Sequence, residues 1–243
     1  MKLLYIDIET TPLVVETWGA YESNAMFIRE HSRILGFAYA WNDGPVKAVY
    51  PLPEGYDDID AAEPAILEEL HALLSEADFV VAHNGDKFDI KKINARLIQA
   101  GFGPPAPYIS IDTLKLARQN FAFTKNNLGE LGLYFGIGGK MQHTGYDLWR
   151  GCLEGDLPSW KTMRRYNKRD VELLRDVYAI LRPWAKNHPD IRDIGETGCR
   201  TCGSEDLQKR GTRRMPSGTF YQRYQCNSCG AYSRGRKMLG RAG

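Results

Sequence analysis

The 243-residue chain has few cysteines and no long apolar run. Its longest apolar stretch, Ile34 to Trp41, is far shorter than the ~20 residues that cross a bilayer. At the start of the chain, Asp7 interrupts the apolar residues before they reach the length of a signal-peptide core. We therefore expect a cytoplasmic protein that has no membrane partner.

The sequence also lacks internal repeats and low-complexity segments, but its charge is unevenly distributed. Residues 196–243 carry ten Lys/Arg and three Asp/Glu, whereas residues 1–195 carry 22 and 27. A basic tail on an acidic body indicates a polyanionic partner. Because the composition changes near 187–198, we expect a main domain over 1–186, a linker over 187–197 and a small domain with a basic C-terminal tail over 198–243.

Apolar spacing predicts alternating strands and helices upstream of that change. The predicted strands are 3–9, 34–41, 78–83 and 107–111, with 46–50 pairing as a hairpin across 42–45. The predicted helices are 63–75, a segment from about Asp89 to Ile98, 113–119, 127–135, and 159–181 closed by Pro183. This order predicts an α/β domain of three layers around a mixed sheet.

Asp7 and Glu9 lie two residues apart on the first predicted strand, so their side chains point to the same face. Two neighbouring carboxylates repel each other, and burying them requires a cation, a shared proton or a basic neighbour. An exposed strand end is the alternative, because a single Asp-x-Glu is a weak signal.

A second acidic segment, His83 to Asp89, leaves a buried strand and enters a helix. Functional sites of α/β domains lie at such strand ends. Asp86 and Asp89 are equally suited to cap the helix N-terminus, so this segment alone leaves both roles open.

The third element is on the long predicted helix, where Tyr166 and Asp170 lie one turn apart on the apolar face. An acid on that face needs a counter-charge. Lys168, Arg169 and Arg175 are candidates for an ion pair, but their positions favour the solvent side of the helix.

Taken in order, Asp7-Ile8-Glu9-Thr10, Asn84-x3-Phe88-Asp89 and Tyr166-x3-Asp170 resemble the three exonuclease motifs of the DEDD superfamily, tyrosine subtype. The resemblance covers about residues 1–182. Arg165 occupies the position at which the histidine subtype has its His. The superfamily includes proofreading domains of DNA polymerases and RNase D-like enzymes, and the resemblance implies their ribonuclease H-like fold. Smaller similarities, such as Thr10-Thr11-Pro12, are to stand-alone phage-type members.

The resemblance implies a 3′–5′ exonuclease that cuts DNA, at single strands or frayed 3′ ends, in phage or bacterial replication or repair. It implies two Mg²⁺ or Mn²⁺ ions, with Asp7 shared, Glu9 and Asp170 at the first ion and Asp89 at the second. A viral protein would act in the host cytoplasm. Tyr166 would orient the attacking water, since a phenol with a pKa near ~10 is a poor base at neutral pH.

Candidate nucleic-acid contacts in this domain are Thr10, Trp18, Asn84, Phe88 and His143. For Trp18, Phe88 and His143, an ordinary role in the core or in a loop is the alternative.

The tail contains the pairs Cys199-x2-Cys202 and Cys226-x2-Cys229, a spacing typical of a four-thiolate zinc site. It resembles a zinc ribbon with one structural Zn²⁺. Two disulfides are the alternative, which a cytoplasmic location disfavours. Cys152 lies outside the pattern as a small apolar residue. The tail residues expected to contact nucleic acid are Arg213, Arg214, Tyr221, Arg223, Arg234 and Arg236.

Other functions remain open on the same residues. The fold also supports RNA exonucleases and structure-specific endonucleases, and a non-catalytic replisome adaptor that binds nucleic acid is an alternative of a different class. The chain has no region of polymerase size, so a separate DNA polymerase or another replication protein is the expected protein partner, through docking of the ribbon.

Overall fold

The computed structural model describes residues 1–22, 24–51, 59–192 and 197–241. Two compact units divide the chain: one comprises residues 2–115 and 125–176, the other residue 1, residues 116–124 and residues 177–243. Among the described helices, none is both long and apolar enough to span a membrane.

The strands of the larger unit are β1 (Leu3–Thr10), β2 (Val14–Glu16), β3 (Phe27–Glu30), β4 (Ile34–Trp41), β5 (Lys47–Val49), β6 (Phe79–Ala82) and β7 (Ile109–Asp112). The helices along the chain are α1 (Ile59–Glu76), α2 (Asp89–Gln99), α3 (Thr113–Asn120), α4 (Leu128–Tyr134), α5 (Tyr146–Leu153) and α6 (Leu157–Leu181), followed by a 3₁₀ turn at Arg182–Trp184.

Five strands form one sheet in the order β5-β4-β1-β6-β7. β1 is antiparallel to β4 and parallel to β6, which confirms the expected mixed sheet. The predicted hairpin is present, with β5 antiparallel to β4 over a slightly shorter range.

The side chains of β1 point alternately to the two faces of the sheet, and this alternation determines which face carries Asp7 and Glu9. Leu4, Ile6 and Ile8 are buried in a core with residues of α1 and α2. A second core on the other face packs Trp160, Met163 and Tyr166 of α6 with Leu35, Tyr50, Leu148 and Cys152. Since successive strand residues face opposite sides, Asp7 and Glu9 point toward α6. The predicted three layers are therefore present, and Cys152 is a core residue as expected.

Two elements of this unit were missing from the sequence prediction. The β2–β3 hairpin is short and its side chains are mostly exposed, so it has no hydrophobic alternation to detect. Its base is closed by backbone and side-chain bonds between Thr11 and Arg33. The short helix α5 follows Gly145, whose positive φ of 66° allows the chain to turn into it.

The smaller unit contains a three-stranded antiparallel sheet in the order β10-β9-β8, formed by β8 (Leu207–Arg214), β9 (Thr219–Cys226) and β10 (Tyr232–Arg241). Its buried cluster consists of the four tail cysteines with Ala231 and Leu207. So little apolar surface cannot stabilise a domain of this size by itself.

The segment predicted to be a linker is described up to Arg192, and residues 193–196 lie outside the described residues. Ile191 is buried and its N–H donates to Arg200 O at 3.0 Å, while Arg192 Nη1 donates to Gly198 O at 3.2 Å. This part of the segment is thus packed against the first cysteine turn. The domain boundaries stay a prediction.

Candidate metal centre and cysteine cluster

Asp7, Glu9 and Asp170 form the candidate metal centre. β1 presents the first two, half-buried, to the face covered by α6, and α6 carries Asp170 with no exposed surface. One carboxylate oxygen from each residue lies within 4.8 Å of the others. The structure thus brings Asp170 of α6 to the two neighbouring acids of β1, from which it is far apart in sequence.

Asp89 lies outside this group of three but near it. It is the first residue of α2, is buried, and accepts a hydrogen bond from Ile8 N at 3.1 Å through Oδ1. Phe88 occupies the N-cap position and makes no side-chain cap bond. The alternative that Asp89 caps the helix is therefore wrong. Asp86 forms an ion pair with Lys115 Nζ at 2.5 Å instead.

Two further residues contact the acids and were not among the predicted site residues. Asn167 Nδ2 donates to Asp7 Oδ2 at 2.6 Å, and Asn167 is fully buried. Lys140 Nζ lies 2.5 Å from Asp170 Oδ2 and 3.1 Å from Tyr166 Oη. The counter-charge of Asp170 is therefore Lys140. None of the candidates on the helix itself supplies it, since Arg169 contacts Glu172 and Ile137 O and Arg175 donates to Gly44 O.

The carboxylates raise one another's pKa because they are crowded and removed from water. Burial raises the pKa of Asp7 well above its usual value, and the charges of Asp89, Glu9 and Asp170 add to this. Burial and then Asp170 raise the pKa of Glu9 to about 8. Burial raises the pKa of Asp89 to about 6, against the opposing hydrogen bond from Ile8. Burial also raises the pKa of Asp170, and Lys140 opposes that change.

Crowded acids of this kind fit a divalent cation. The donors are all oxygens, which hard cations such as Mg²⁺ and Mn²⁺ prefer. Asp170 Oδ1 is buried and has no hydrogen-bond partner among the described residues. An unpartnered buried oxygen costs free energy, and a cation at this position would remove that cost. The arrangement can therefore hold a metal ion.

Tyr166 lies one turn before Asp170 on α6 and is buried. Burial raises its pKa, and the charge of Asp170 raises it further, so the phenol stays protonated at neutral pH. His143 packs edge-on against the Tyr166 ring with centroids 4.8 Å apart. This places His143 beside the acids and gives it a packing contact as well.

The other candidate substrate contacts occupy varied positions. Thr10 ends β1 directly after the acidic pair. Asn84 has a left-handed φ of 65° and its N–H donates to Asp112 Oδ1 at 2.9 Å, so its backbone shapes the turn before α2. Phe88 is 39% exposed and Trp18 is 83% exposed. Ordinary core packing therefore does not account for Trp18.

The four tail cysteines converge as their spacing predicts. Their sulfurs lie within 4.8 Å of one another, with Cys199 to Cys229 at 3.7 Å and Cys202 to Cys226 at 3.6 Å. A disulfide requires about 2.05 Å, and all four are free thiols. Tetrahedral Zn–S bonds of about 2.3 Å place the sulfurs roughly 3.8 Å apart. The cluster is consistent with a zinc ribbon.

The basic residues of the tail lie on the three-stranded sheet, many beside aromatic rings. Arg234 stands over Tyr221 at 4.3 Å, Arg223 over Tyr232 at 5.7 Å and Arg214 over Phe220 at 5.9 Å. Arg213 lies on β8 and Arg236 on β10. Cation–π contacts therefore link these guanidinium groups to aromatic rings of the sheet.

Comparison with known proteins gives structural likenesses and one family. The family B DNA polymerase from the hyperthermophilic archaeon Pyrobaculum calidifontis matches with a TM-score of 0.51 and 13% identity, over 90% of this chain and 31% of the polymerase. This likeness shows a shared fold, and the chain spans less than a third of the polymerase. No curated protein matches the chain. Residues 4–182 match the sequence profile of the RNase_H superfamily, and the chain belongs to that superfamily.

Proposed function

We propose that the chain is a metal-dependent 3′–5′ exonuclease of the tyrosine subtype that hydrolyses DNA at unpaired 3′ ends. The observation that carries this proposal is the convergence of Asp7, Glu9 and Asp170 within 4.8 Å, with Tyr166 one turn from Asp170. The RNase_H fold and the likeness to a DNA polymerase support a nuclease and favour DNA.

Asp7, Glu9 and Asp170 would hold one divalent cation, and Asp89, with Asp7, would hold a second. Bound together, two such ions would activate water and would stabilise the leaving 3′ oxygen. The raised pKa values mean that binding must displace protons from these carboxyls, so the site becomes competent as the pH rises.

The chain's own residues orient the reactants. Asn167 holds the Asp7 carboxylate through Oδ2, which fixes the direction of its other oxygen. Tyr166 keeps its proton and donates a hydrogen bond to the attacking water. Water loses a proton to the solvent and adds to the phosphorus, the bond from phosphorus to the 3′ oxygen of the preceding nucleotide breaks, and that oxygen takes up a proton. The products are a nucleoside 5′-monophosphate and a strand shorter by one nucleotide.

The cysteine cluster would hold one structural Zn²⁺ and so fold the β8–β10 sheet as a zinc ribbon. The arginines over aromatic rings suit backbone neutralisation and base stacking, so this sheet would bind nucleic acid. Docking on a separate polymerase or another replication protein is the competing role of the same surface.

The decisive experiment follows a 5′-labelled single-stranded oligonucleotide with Mg²⁺ or Mn²⁺ and with EDTA. We expect one-nucleotide steps from the 3′ end that EDTA abolishes and that Asp7→Ala and Asp170→Asn slow by ~10³-fold or more. Asp86→Asn is the matched control, since Asp86 pairs with Lys115 outside the cluster. Full activity of Asp7→Ala would refute the assigned site.

Cleavage rates on a matched RNA, on covalently closed DNA circles and on the same DNA oligonucleotide distinguish the substrate classes. Faster cutting of RNA, or cutting of closed circles, would replace the DNA exonuclease assignment by an RNase or an endonuclease. Nucleic-acid binding without any cutting, together with no Mn²⁺-dependent thermal shift, would favour a non-catalytic adaptor.

A further inference from the structure

Four basic side chains form a stripe along α6: Lys161, Arg164, Arg165 and Lys168. Their spacing of three and four residues places them on one side of the helix. Met163, Tyr166 and Asp170 occupy the opposite, buried side. The stripe and the candidate metal centre therefore share one helix but lie on its two sides.

The stripe lines a groove between α6 and the edge strand β5. Ala48 of β5 forms one wall, and the groove has a volume of about 650 Å³. Further along α6, Arg175 Nη1 donates to Gly44 O in the β4–β5 turn at 3.0 Å. This bond ties the helix to the hairpin that carries the opposite wall, so the groove is held by fixed elements.

The charges of the stripe are not balanced by the protein. Within the described ranges of the chain, none of the four cations makes an ion pair, whereas Arg96 pairs with Glu63 and Lys140 with Asp170. Neighbours in the stripe are like charges three or four residues apart, which destabilises a helix. They also lie on a body whose residues 1–195 are acidic overall. An anionic ligand would relieve this repulsion.

The shape of the stripe points to a row of phosphates. From Lys161 to Lys168 the helix rises about 10.5 Å, in seven steps of about 1.5 Å. A strand of a duplex carries one phosphate per about 3.4 Å of helix axis and an unpaired strand is more extended, so the stripe can face about two to three consecutive phosphates. Arginine forks suit phosphate oxygens. The stripe offers no aromatic ring for a base, so it is suited to the backbone and not to sequence.

We propose that this α6 groove binds the sugar-phosphate backbone of the nucleic acid whose end is cut, on nucleotides behind the reacting one. This inference rests on the proposed nuclease function. Because the two sides of a helix are about 10–12 Å apart, the bound phosphates lie about two to three nucleotides or more from the reacting end. The groove thus gives longer strands extra affinity, without base preference.

The test uses the whole chain in an Asp7→Ala background without added Mg²⁺ or Mn²⁺, which prevents cutting and leaves zinc in the tail, with labelled single strands of 3 and 16 nucleotides. The variant K161Q/R164Q/R165Q/K168Q is compared with K2Q/K115Q/K125Q/R150Q, a control that removes the same charge from cations paired with acids. Thermal unfolding checks that both variants are folded. Fluorescence anisotropy over a salt series gives the affinities.

We expect the groove variant to bind the 16-mer roughly 10- to 100-fold more weakly at 0.1 M salt. The slope of log affinity against log salt concentration should become shallower by about two, at ~0.7 per lost phosphate contact. R164Q/K168Q should give about half that change in slope. The control variant and the 3-mer should show little change. An unchanged slope, or an equal loss in the control, would overturn the proposal. Polyglutamate competing as well as oligo-dT of equal charge would instead assign the groove to an acidic protein.

A small phosphodiester separates this inference from the proposed function. The p-nitrophenyl ester of thymidine 5′-phosphate is too short to reach the groove, so with Mn²⁺ the groove variant should hydrolyse it at the wild-type rate. If the wild type cuts neither this ester nor any oligonucleotide, the nuclease function fails whatever the binding data show. If cutting persists while the binding of long strands is unaffected in the groove variant, only the groove proposal fails.

Discussion

Lys140 and Asp170 form an ion pair inside the acidic site, with Nζ 2.5 Å from Oδ2. The Asp170 side chain is almost completely buried, whereas the Lys140 side chain is 39% exposed. Lys140 therefore supplies positive charge to the carboxylates while part of its side chain contacts water. A divalent cation and Lys140 stabilise the same carboxylate charge. Each should therefore stabilise the folded protein less when the other is present.

This relationship predicts the behaviour of Lys140→Gln. Losing one partner of a fully buried pair costs about 3–5 kcal/mol, and the exposure of Lys140 reduces that to about 1–2 kcal/mol. We expect this loss in metal-free protein at pH 8, measured by urea unfolding, and a larger stabilisation by Mn²⁺ in the variant than in the wild type. Lys125→Gln, at an exposed pair with Glu130, should cost less than about 0.5 kcal/mol. An identical loss with and without Mn²⁺ would contradict the competition.

The raised pKa of Glu9 predicts a pH dependence of stability. Burial and Asp170 raise this pKa from 4.5 to about 8, so between these values the folded state binds a proton that the unfolded state does not. Stability of the metal-free protein should therefore fall as the pH rises from about 4.5 to about 8, and Mn²⁺ affinity should rise over the same range. Urea unfolding without added Mg²⁺ or Mn²⁺ at pH 5, 6.5 and 8, with and without Glu9→Gln, measures the effect.

Asp190→Asn is a control for that titration. Hydrogen bonds from Arg192 lower the pKa of Asp190 to about 2, so its contribution to stability is present above its usual pKa and is lost only toward acid pH. The Asp190 variant should keep the fall in stability between pH 5 and pH 8, and Glu9→Gln should reduce it. A flat wild-type profile over this range would show that Glu9 does not retain its proton.

Local spacing explains why much of the site was predictable. Asp7 and Glu9 alternate with Leu4, Ile6 and Ile8, and the period of two alone places the acids on one face of the sheet. The helical period likewise puts Tyr166 and Asp170 on the buried side of α6. Both properties belong to single elements, and neither depends on how the chain folds back on itself.

Residues that reach the site only because distant parts of the chain meet in the fold were not predictable in the same way. Lys140 precedes α5 in a stretch without periodicity and meets Asp170 only because the chain returns to α6. In the sequence, Asn167 does not stand out from the polar residues Lys168 and Arg169 that follow it. Its position three residues before Asp170 was the available signal, because it puts both on the same helix face.

The cysteine cluster predicts that zinc and the tail fold together. Cys226→Ser should lose one equivalent of bound zinc and, with it, most of the ~10–16 kcal/mol that a structural site provides, so the β8–β10 sheet should become sensitive to protease. Zinc content by mass spectrometry and limited proteolysis check this. Cys152→Ala is the matched control because Cys152 packs in a core of the larger unit and is not one of the four clustered cysteines. Full protease resistance of Cys226→Ser would show that the tail folds without metal.

Tyr166→Phe separates the orientation of water from general-base catalysis. Burial and the nearby Asp170 raise the pKa of Tyr166, so the phenol does not remove a proton at neutral pH, and its hydroxyl acts through a hydrogen bond. We expect kcat for the oligonucleotide to fall roughly 10- to 10²-fold while KM and Mn²⁺ binding change little, because the ring still packs against His143. The shape of the pH–rate profile should be the same in variant and wild type. Loss of an alkaline limb in the variant would instead identify the phenol as the titrating base, and an unchanged kcat would remove Tyr166 from the mechanism.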